Sequence, residues 1–346
     1  MIRSEGFALV LVLWVLSLLT IMAGSFALTM QREASVVTGS RNNAQAMAIA
    51  ESGLAVAELM LMNPGQQQRW RTDGSIYQID YPDFKVRVRL LAETGKIDIN
   101  SADQTLLQGL MAHAPVEAEQ QAKLVNAILD WRDEDDLVHI DGAEKEEYKS
   151  AGLSYRPRNK PFQSIEELQL VLGMNEQLFK WLENLVTVYS GQPTVDSTQA
   201  AKEVLQVLPG ADAGLIDEYI AARRISAVNG LPAPAFMIRK DGAGQSGFSN
   251  QDGMSGQKSA IESTSAIGVN DGMEQKGAIT VVAEALSDDD TKAMIKALIK
   301  RSDNPGALSP FQVLKWQRDA AKDNSLFTDE RDQLLVRQYA EPEFNN

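Results

Sequence analysis

The densest set of potential metal ligands in this chain is an acidic stretch near its middle. Nine carboxylates lie between positions 130 and 147: Asp130, Asp133, Glu134, Asp135, Asp136, Asp141, Glu144, Glu146 and Glu147. Carboxylates this close repel one another unless they are solvated or neutralised, and calcium is the hard cation best suited to neutralise them. The spacing is not that of an EF-hand loop. The stretch by itself leaves a calcium site and a solvated acidic loop both open, with the solvated loop slightly favoured.

Groups suited to catalysis are scarce. The chain has no cysteine, which excludes disulfides, thiol nucleophiles and cysteine metal sites. Its two histidines, His113 and His139, stand in no metal-binding or nucleophile motif. We interpret His139, beside the acidic stretch, as an exposed loop residue rather than a metal ligand. We therefore expect a protein that is not an enzyme.

Two segments have helix-hairpin-helix character, which in DNA-binding proteins presents backbone amides to phosphate. They are 99–103 with the helix that follows, and 207–211 with residues 215–224. The net charge of −14 opposes phosphate binding, and Arg223 and Arg224 are the basic residues at hand. We expect a structural or protein-binding use and no nucleic-acid partner. The basic segment 155–161 is left open between an internal salt-bridge strut and a partner contact.

The element at the start of the chain is a long helix. Residues 7–30 carry no charged side chain and would span roughly 36 Å as a helix, enough to cross a bilayer. Residues 31–62 add an amphipathic stripe that 63–65, Asn-Pro-Gly, should end. We expect the N-terminus in the cytoplasm and the rest outside the inner membrane.

Periodicity assigns the remaining elements. Strands are predicted at 75–81, 84–91, 95–100, 278–284 and 311–317, and helices at 102–113, 117–131, 164–172, 175–185, 198–207 and 212–223. Residues 291–301 have helical spacing. Residues 241–276 are rich in Gly, Ser, Gln and Asn, so we expect a flexible or disordered insertion, and we expect the tail after Leu335 to fray.

The leader resembles that of type IV pilins and type II secretion pseudopilins. Its match is Gly6 followed by Phe7 and the apolar helix, which implies cleavage after Gly6 by a prepilin peptidase and methylation of the new N-terminus. Most members carry a glutamate where this chain has Leu11. In the filament that acid neutralises the N-terminal ammonium of the subunit above. Because a subunit with nothing above it needs no such partner, the leucine fits a tip position.

Further segments resemble the K-type minor pseudopilin of type II secretion systems. They are 95–101, 127–136, 142–144, 155–159, 161–168, 172–174 and 186–189. The resemblance implies an α+β fold, in which a long N-terminal transmembrane and amphipathic helix joins an antiparallel-sheet pilin-like core. A large all-α domain with helix-hairpin-helix-like elements interrupts that core. The implied divisions are a leader at 1–6, a transmembrane helix at 7–30, a core at 31–100 plus 278–346, and an insertion at 101–277. The resemblance also implies a strand at 291–301.

The same resemblance implies a function. A K-type subunit is a non-enzymatic minor pseudopilin at the pseudopilus tip, which starts or caps assembly with the I and J minor pseudopilins. We expect a single-pass inner-membrane protein with its bulk in the periplasm and with residues 31–62 facing I and J. Other pseudopilins, the secretin and secreted cargo are further expected contacts.

Family members with calcium in the helical domain favour calcium over the solvated loop. The ligands we then expect are Asp133, Asp136, Asp141, Glu144 and Glu147. Two alternatives of function remain: a tip pilin of a type IV pilus, and a membrane-anchored helix-hairpin-helix DNA-binding protein.

Overall fold

The computed structural model describes residues 5–65, 68–236, 277–302, 304, 309–319 and 324–340. Most of the expected leader and the segment 241–276 lie outside these residues, so the expectation for that segment stays a prediction. The first element, helix α1, runs unbroken from Glu5 to Met62. It ends where Asn63 precedes Pro64, because a residue before proline is disfavoured in the helical region.

The second half of α1 buries one stripe against a sheet. The buried positions recur every three or four residues: Ala46, Ala50, Leu54, Ala57 and Leu61. Gly53 allows the close approach, since a Cβ there would lie 2.8 Å from Cγ1 of Val86. The stripe expected to face I and J is thus covered by the chain's own sheet, because that sheet needs an apolar cover on this side. Val36 and Val37, nearer the apolar half, remain exposed.

The main sheet has six strands. They are β1 (Asp73–Asp80), β2 (Phe84–Ala92), β5 (Ala278–Ser287), β6 (Lys292–Arg301), β7 (Phe311–Asp319) and β8 (Leu335–Ala340), in the spatial order β7-β6-β5-β2-β1-β8. All neighbours pair antiparallel except β1 and β8, which are parallel. Helix α1 packs against β2, β5 and β6. The fold is α+β, with an antiparallel core behind a long N-terminal helix, as predicted.

Two segments differ from the expectation drawn from periodicity. The first, β6, has helical spacing but is a strand because both its faces are buried: Ile295 and Ala297 face α1, and Met294 and Leu298 face the other way. The second is the tail, which does not fray at once. Residues Leu335–Ala340 form β8, and the Tyr339 hydroxyl accepts a hydrogen bond from Nε1 of Trp70 at 3.1 Å.

The helices between β2 and β5 build a second core. They are α2 (Gln104–Met111), α3 (Ala118–Arg132), α4 (Lys145–Ser150), α5 (Glu176–Leu182), α6 (Lys202–Leu205) and α7 (Ala213–Val228). Asp103, Asn175 and Asp212 cap α2, α5 and α7 by accepting backbone N–H bonds of 2.7–3.0 Å. The predicted helix at 164–172 is a 3-10 helix, Ile165–Leu170. A short helix, α8 (Asp329–Asp332), precedes β8.

A two-residue parallel pair completes the helical segment. Strand β3 (Ile97–Asp98) pairs with β4 (Val186–Thr187) and brings the two ends of 97–187 together. The core of this segment gathers apolar side chains from α2, α3, α4, α5 and the loop after α4: Leu107, Leu124, Ile128, Trp131, Tyr148, Phe162, Leu178 and Leu182. Trp131 therefore belongs to this core. This core fixes the end of α3, where the acidic stretch begins.

Candidate metal centre

Asp130 anchors the acidic stretch to the helical core. It lies in the last turn of α3 and is fully buried. Its carboxylate accepts hydrogen bonds from the backbone N–H groups of His139, at 3.1 Å, and Ala143, at 2.6 Å. It also contacts Nδ1 of His139 at hydrogen-bonding distance. Asp130 thus folds the loop 133–143 back onto α3, and it acts as a brace with few lone pairs left for a cation.

Asp133 and Glu144 have the opposite character. Among the described residues, both carboxylate oxygens of Glu144 and Oδ1 of Asp133 are buried without a hydrogen-bond partner. Glu144 is only 5% exposed. Burial, with the nearby charges of Asp130 and Asp133, raises the pKa of Glu144 to about 7. Burial, with Asp135 and Asp130, also raises the pKa of Asp133.

Three orphaned carboxylate oxygens within one acidic stretch are costly unless a cation neutralises them. A buried polar atom without a partner loses its hydration and gains nothing in return, and repulsion between carboxylates adds to that cost. Oxygen ligands of this kind are what calcium takes. The residues present therefore fit a hard divalent cation. One ligand atom each from Asp130, Asp133 and His139 also lies within 4.8 Å of the other two.

The other predicted ligands lie around this centre. Asp136 is exposed, and its Oδ1 accepts a hydrogen bond of 3.0 Å from Asn159 Nδ2. Asp141 is exposed in a turn at φ 59°. Oε2 of Glu147 accepts the backbone N–H of Glu144 at 2.9 Å at the start of α4. All five ligands remain predictions; Asp133 and Glu144 are the two whose oxygens lack partners.

Sequence reasoning missed the roles of Asp130 and His139. The signal for Asp130 is its position among Ala127, Ile128 and Trp131 on the buried face of a helix, where a carboxylate needs partners. His139 is a loop residue, as expected, but its ring contacts the buried carboxylate of Asp130. Its side chain is half-exposed.

The basic segment 155–161 braces the same loop. Arg158 pairs with Glu167 at 2.9 Å. Asn159 donates to the backbone carbonyl of Asp135 at 2.6 Å, besides its bond to Asp136. These contacts favour the internal strut over the partner contact for this segment.

The basic residues near the second hairpin motif are used within the fold. The guanidinium of Arg223 is buried and donates to the carbonyls of Ala200, at 2.6 Å, and Asp73, at 2.7 Å. Arg224 donates to the carbonyl of Leu335 at 3.2 Å. Both arginines therefore fasten α7 to the sheet, and the buried one is not presented to a phosphate.

The first half of α1 has the opposite burial from its second half. Its apolar side chains from Leu9 to Met30 are exposed on every face. In the described part of the chain, α1 is the one helix long and apolar enough to cross a membrane. Lipid or other helices are needed to cover it.

Comparisons with known proteins agree with the sequence motifs. Residues 87–191 match the family model described as type II secretion system protein K. Protein K of Klebsiella pneumoniae is 25% identical over 201 residues, covering 52% of this chain and 61% of that protein. Protein K of Aeromonas hydrophila is 26% identical over 208 residues, covering 51% and 61%. The match thus spans about three fifths of each relative.

One solved structure is also similar. It is the GspK-GspI-GspJ complex of the enterotoxigenic Escherichia coli type 2 secretion system, with a TM-score of 0.44 and 18% identity, covering 79% of this chain and 94% of that one. The family match over 87–191 and the two protein K relatives confirm the resemblance stated from the motifs.

Proposed function

Because residues 87–191 carry the domain of protein K of the type II secretion systems, we propose that the chain is a minor pseudopilin at the tip of the pseudopilus. Its work is assembly. It starts or caps the filament together with the I and J minor pseudopilins, and so supports protein export across the outer membrane. Prepilin peptidase cuts it after Gly6 and methylates Phe7.

Helix α1 is the observation that carries this proposal. It is 58 residues long; its first half is apolar and exposed, and its second half packs on the sheet of the same chain. The exposed half fits two environments in turn, the inner membrane before assembly and a bundle of similar helices afterwards. This arrangement supports a single-pass inner-membrane anchor, and we place the bulk of the chain in the periplasm as part of the proposal.

Two features support the tip position. Leu11 takes the place of the acid that pairs with the subunit above. The helical segment adds a second core beside the sheet, which would be too wide to repeat along a thin filament. With this proposal goes the division of the chain into a leader at 1–6, an anchor at 7–30, a core at 31–100 plus 278–346, and an insertion at 101–277. The insertion at the apex would be free to contact the secretin or cargo.

Calcium is part of the proposal. Asp133 and Glu144 would hold the ion, with Asp136, Asp141 and Glu147 as the other expected ligands. Bound calcium would neutralise the orphaned carboxylates and fix the loop that Asp130 folds onto α3. Its effect would be structural, since it would hold that loop in place.

Export in cells tests the proposal. In a secretion strain that lacks its own K subunit, the full chain should restore cargo export. A chain without 101–277 should insert in the membrane but fail to export. A matched control is a chain that lacks 241–276 alone, which should still support export.

Two results would contradict the proposal. Normal export by the chain without 101–277 would remove the helical segment from the function. Failure of the full chain in a strain with a working I, J and peptidase set, joined with activity in a type IV pilus strain, would favour the pilus alternative.

A further inference from the structure

The face of the sheet that α1 covers is left open over β7. In the antiparallel register Trp316 lies opposite Ala297, and Val313 lies opposite Ile299. Directly opposed residues share a face, and Ala297 and Ile299 belong to the core under α1. Yet Trp316 is 40% exposed and Val313 is 46% exposed. A register shift at Leu298/Ile299 brings these two residues, three apart in sequence, to one face.

A basic side chain flanks this apolar pair. Arg318 lies opposite Ile295, so it shares the face of Trp316 and Val313. It is exposed. We call Val313, Trp316 and Arg318 the β7 patch. On a chain with a net charge of −14, an arginine at the rim of an apolar patch selects a partner with negative charge beside its apolar contact.

The composition of the patch fits a protein interface. Tryptophan and arginine are the side chains most enriched at the energetic centres of interfaces, and lysine and glutamate are depleted there. Exposed apolar residues scattered singly need no explanation. Here they lie together, next to a buried core and beside an exposed arginine.

The edge of β7 is a poorer place for a partner than its face. The register shift interrupts regular pairing, and Lys315 is held on the opposite face by an ion pair with Glu166. Bulges and charged side chains are the usual devices that prevent strand addition at an edge. A partner is therefore expected to cover the side chains rather than extend the sheet.

We propose that the β7 patch docks an amphipathic helix of a neighbouring pseudopilin, with an apolar stripe against Trp316 and Val313 and an acidic residue against Arg318. The same face already takes a helix, α1, over β2, β5 and β6. A second helix beside α1 would continue that layer over β7. This inference rests on the proposed function, because it takes the neighbour from the same filament tip.

Photocrosslinking in the assembled protein tests the patch. A photoreactive phenylalanine analogue replaces Trp316 in the full chain, which is made in the membrane together with I and J. The expected product is a crosslink to a helical, acidic peptide of I or J, identified by mass spectrometry. The matched control places the analogue at Ile225, which is 61% exposed on α7 at the opposite edge of the sheet, beside β8. Crosslinking to this chain alone, or equally from both positions, would overturn the proposal.

Capture of I and J by substituted chains gives an independent readout. W316A and R318E should each lower the yield of I and J captured with the full chain at least tenfold, while I225A leaves it unchanged. Equal melting temperatures of the three variants exclude unfolding as the cause. Capture by the variants at the wild-type level would refute the patch while leaving the tip role intact. Capture of neither subunit by the wild-type chain would instead refute the tip role, and the patch with it.

Discussion

Replacing Glu144 by glutamine separates a calcium site from a solvated acidic loop. Both oxygens of Glu144 lack partners in the described structure, and Asp133 contributes a third orphaned oxygen. In calcium-free protein, glutamine removes a buried negative charge and supplies an N–H donor to the neighbouring carboxylates. We therefore expect E144Q to stabilise the calcium-free form and to weaken its response to calcium.

The change in stability without calcium and the response to calcium can both be estimated. An unsatisfied buried group costs about 1–3 kcal/mol, so the calcium-free variant should gain on the order of 1 kcal/mol. An ion that binds the folded state alone adds about 2.7 kcal/mol at one hundred times its Kd. In a helical segment of this size, that energy raises Tm by roughly 10 °C. The wild type should show this rise, and E144Q should lose most of it.

Calorimetry on chelator-stripped full-length protein measures both effects. Scans are run with chelator, with calcium and with magnesium, for the wild type, E144Q and E146Q. Glu146 is an exposed acid in the same stretch, paired with Lys149, so E146Q is the matched control and should behave as the wild type. A wild-type Tm that saturating calcium leaves unchanged would refute the site. An E144Q variant less stable than the wild type in chelator would refute the reasoning about its unpartnered oxygens.

Three further changes probe how the fold holds its parts together. R223A leaves two buried carbonyls without their donor and should lower the free energy of unfolding in urea by about 3 kcal/mol. The exposed neighbour is the control, and R224A should lower it by less than about 1 kcal/mol. Equal losses of stability in the two variants would contradict the role of Arg223. Burial opposes ionisation of Glu203, but its two arginine partners outweigh burial and lower its pKa to about 2. Its contribution is therefore present above the unfolded pKa near 4.5 and lost as the pH falls towards 2. E203Q should flatten that acid limb by up to about 1 kcal/mol, because the side chain is partly exposed, and an unchanged pH profile would contradict this. G53L should cost about 2–3 kcal/mol by pushing α1 off Val86, seen as a lower Tm, and a neutral result would contradict the close packing.

Local sequence patterns predicted the elements that carry a single period. Helix α1 was predicted to Met62 because one apolar stripe and a clear proline stop define it. Strand β6 was recognised through the family resemblance alone, since a strand buried on both faces loses its alternation. Strand β8 escaped prediction because its order comes from contacts with Trp70 and β1, nearly 270 residues away.

The candidate metal centre was half predictable. Composition located the acidic stretch and five candidate ligands, but a count of carboxylates does not tell which of them already have partners. The structure distinguishes Asp130, which accepts two backbone N–H groups, from Glu144, whose oxygens accept none among the described residues. The β7 patch was not predictable, since it depends on a register shift and on where α1 stops covering the sheet.

The intact mass of the membrane-extracted protein, made with and without a prepilin peptidase, shows whether the chain enters the pilin pathway. We expect loss of residues 1–6 and gain of one methyl group on Phe7 when the peptidase is present, and neither change when it is absent. An unprocessed N-terminus in both samples would mean an ordinary membrane anchor, and the pseudopilin function would fall with it.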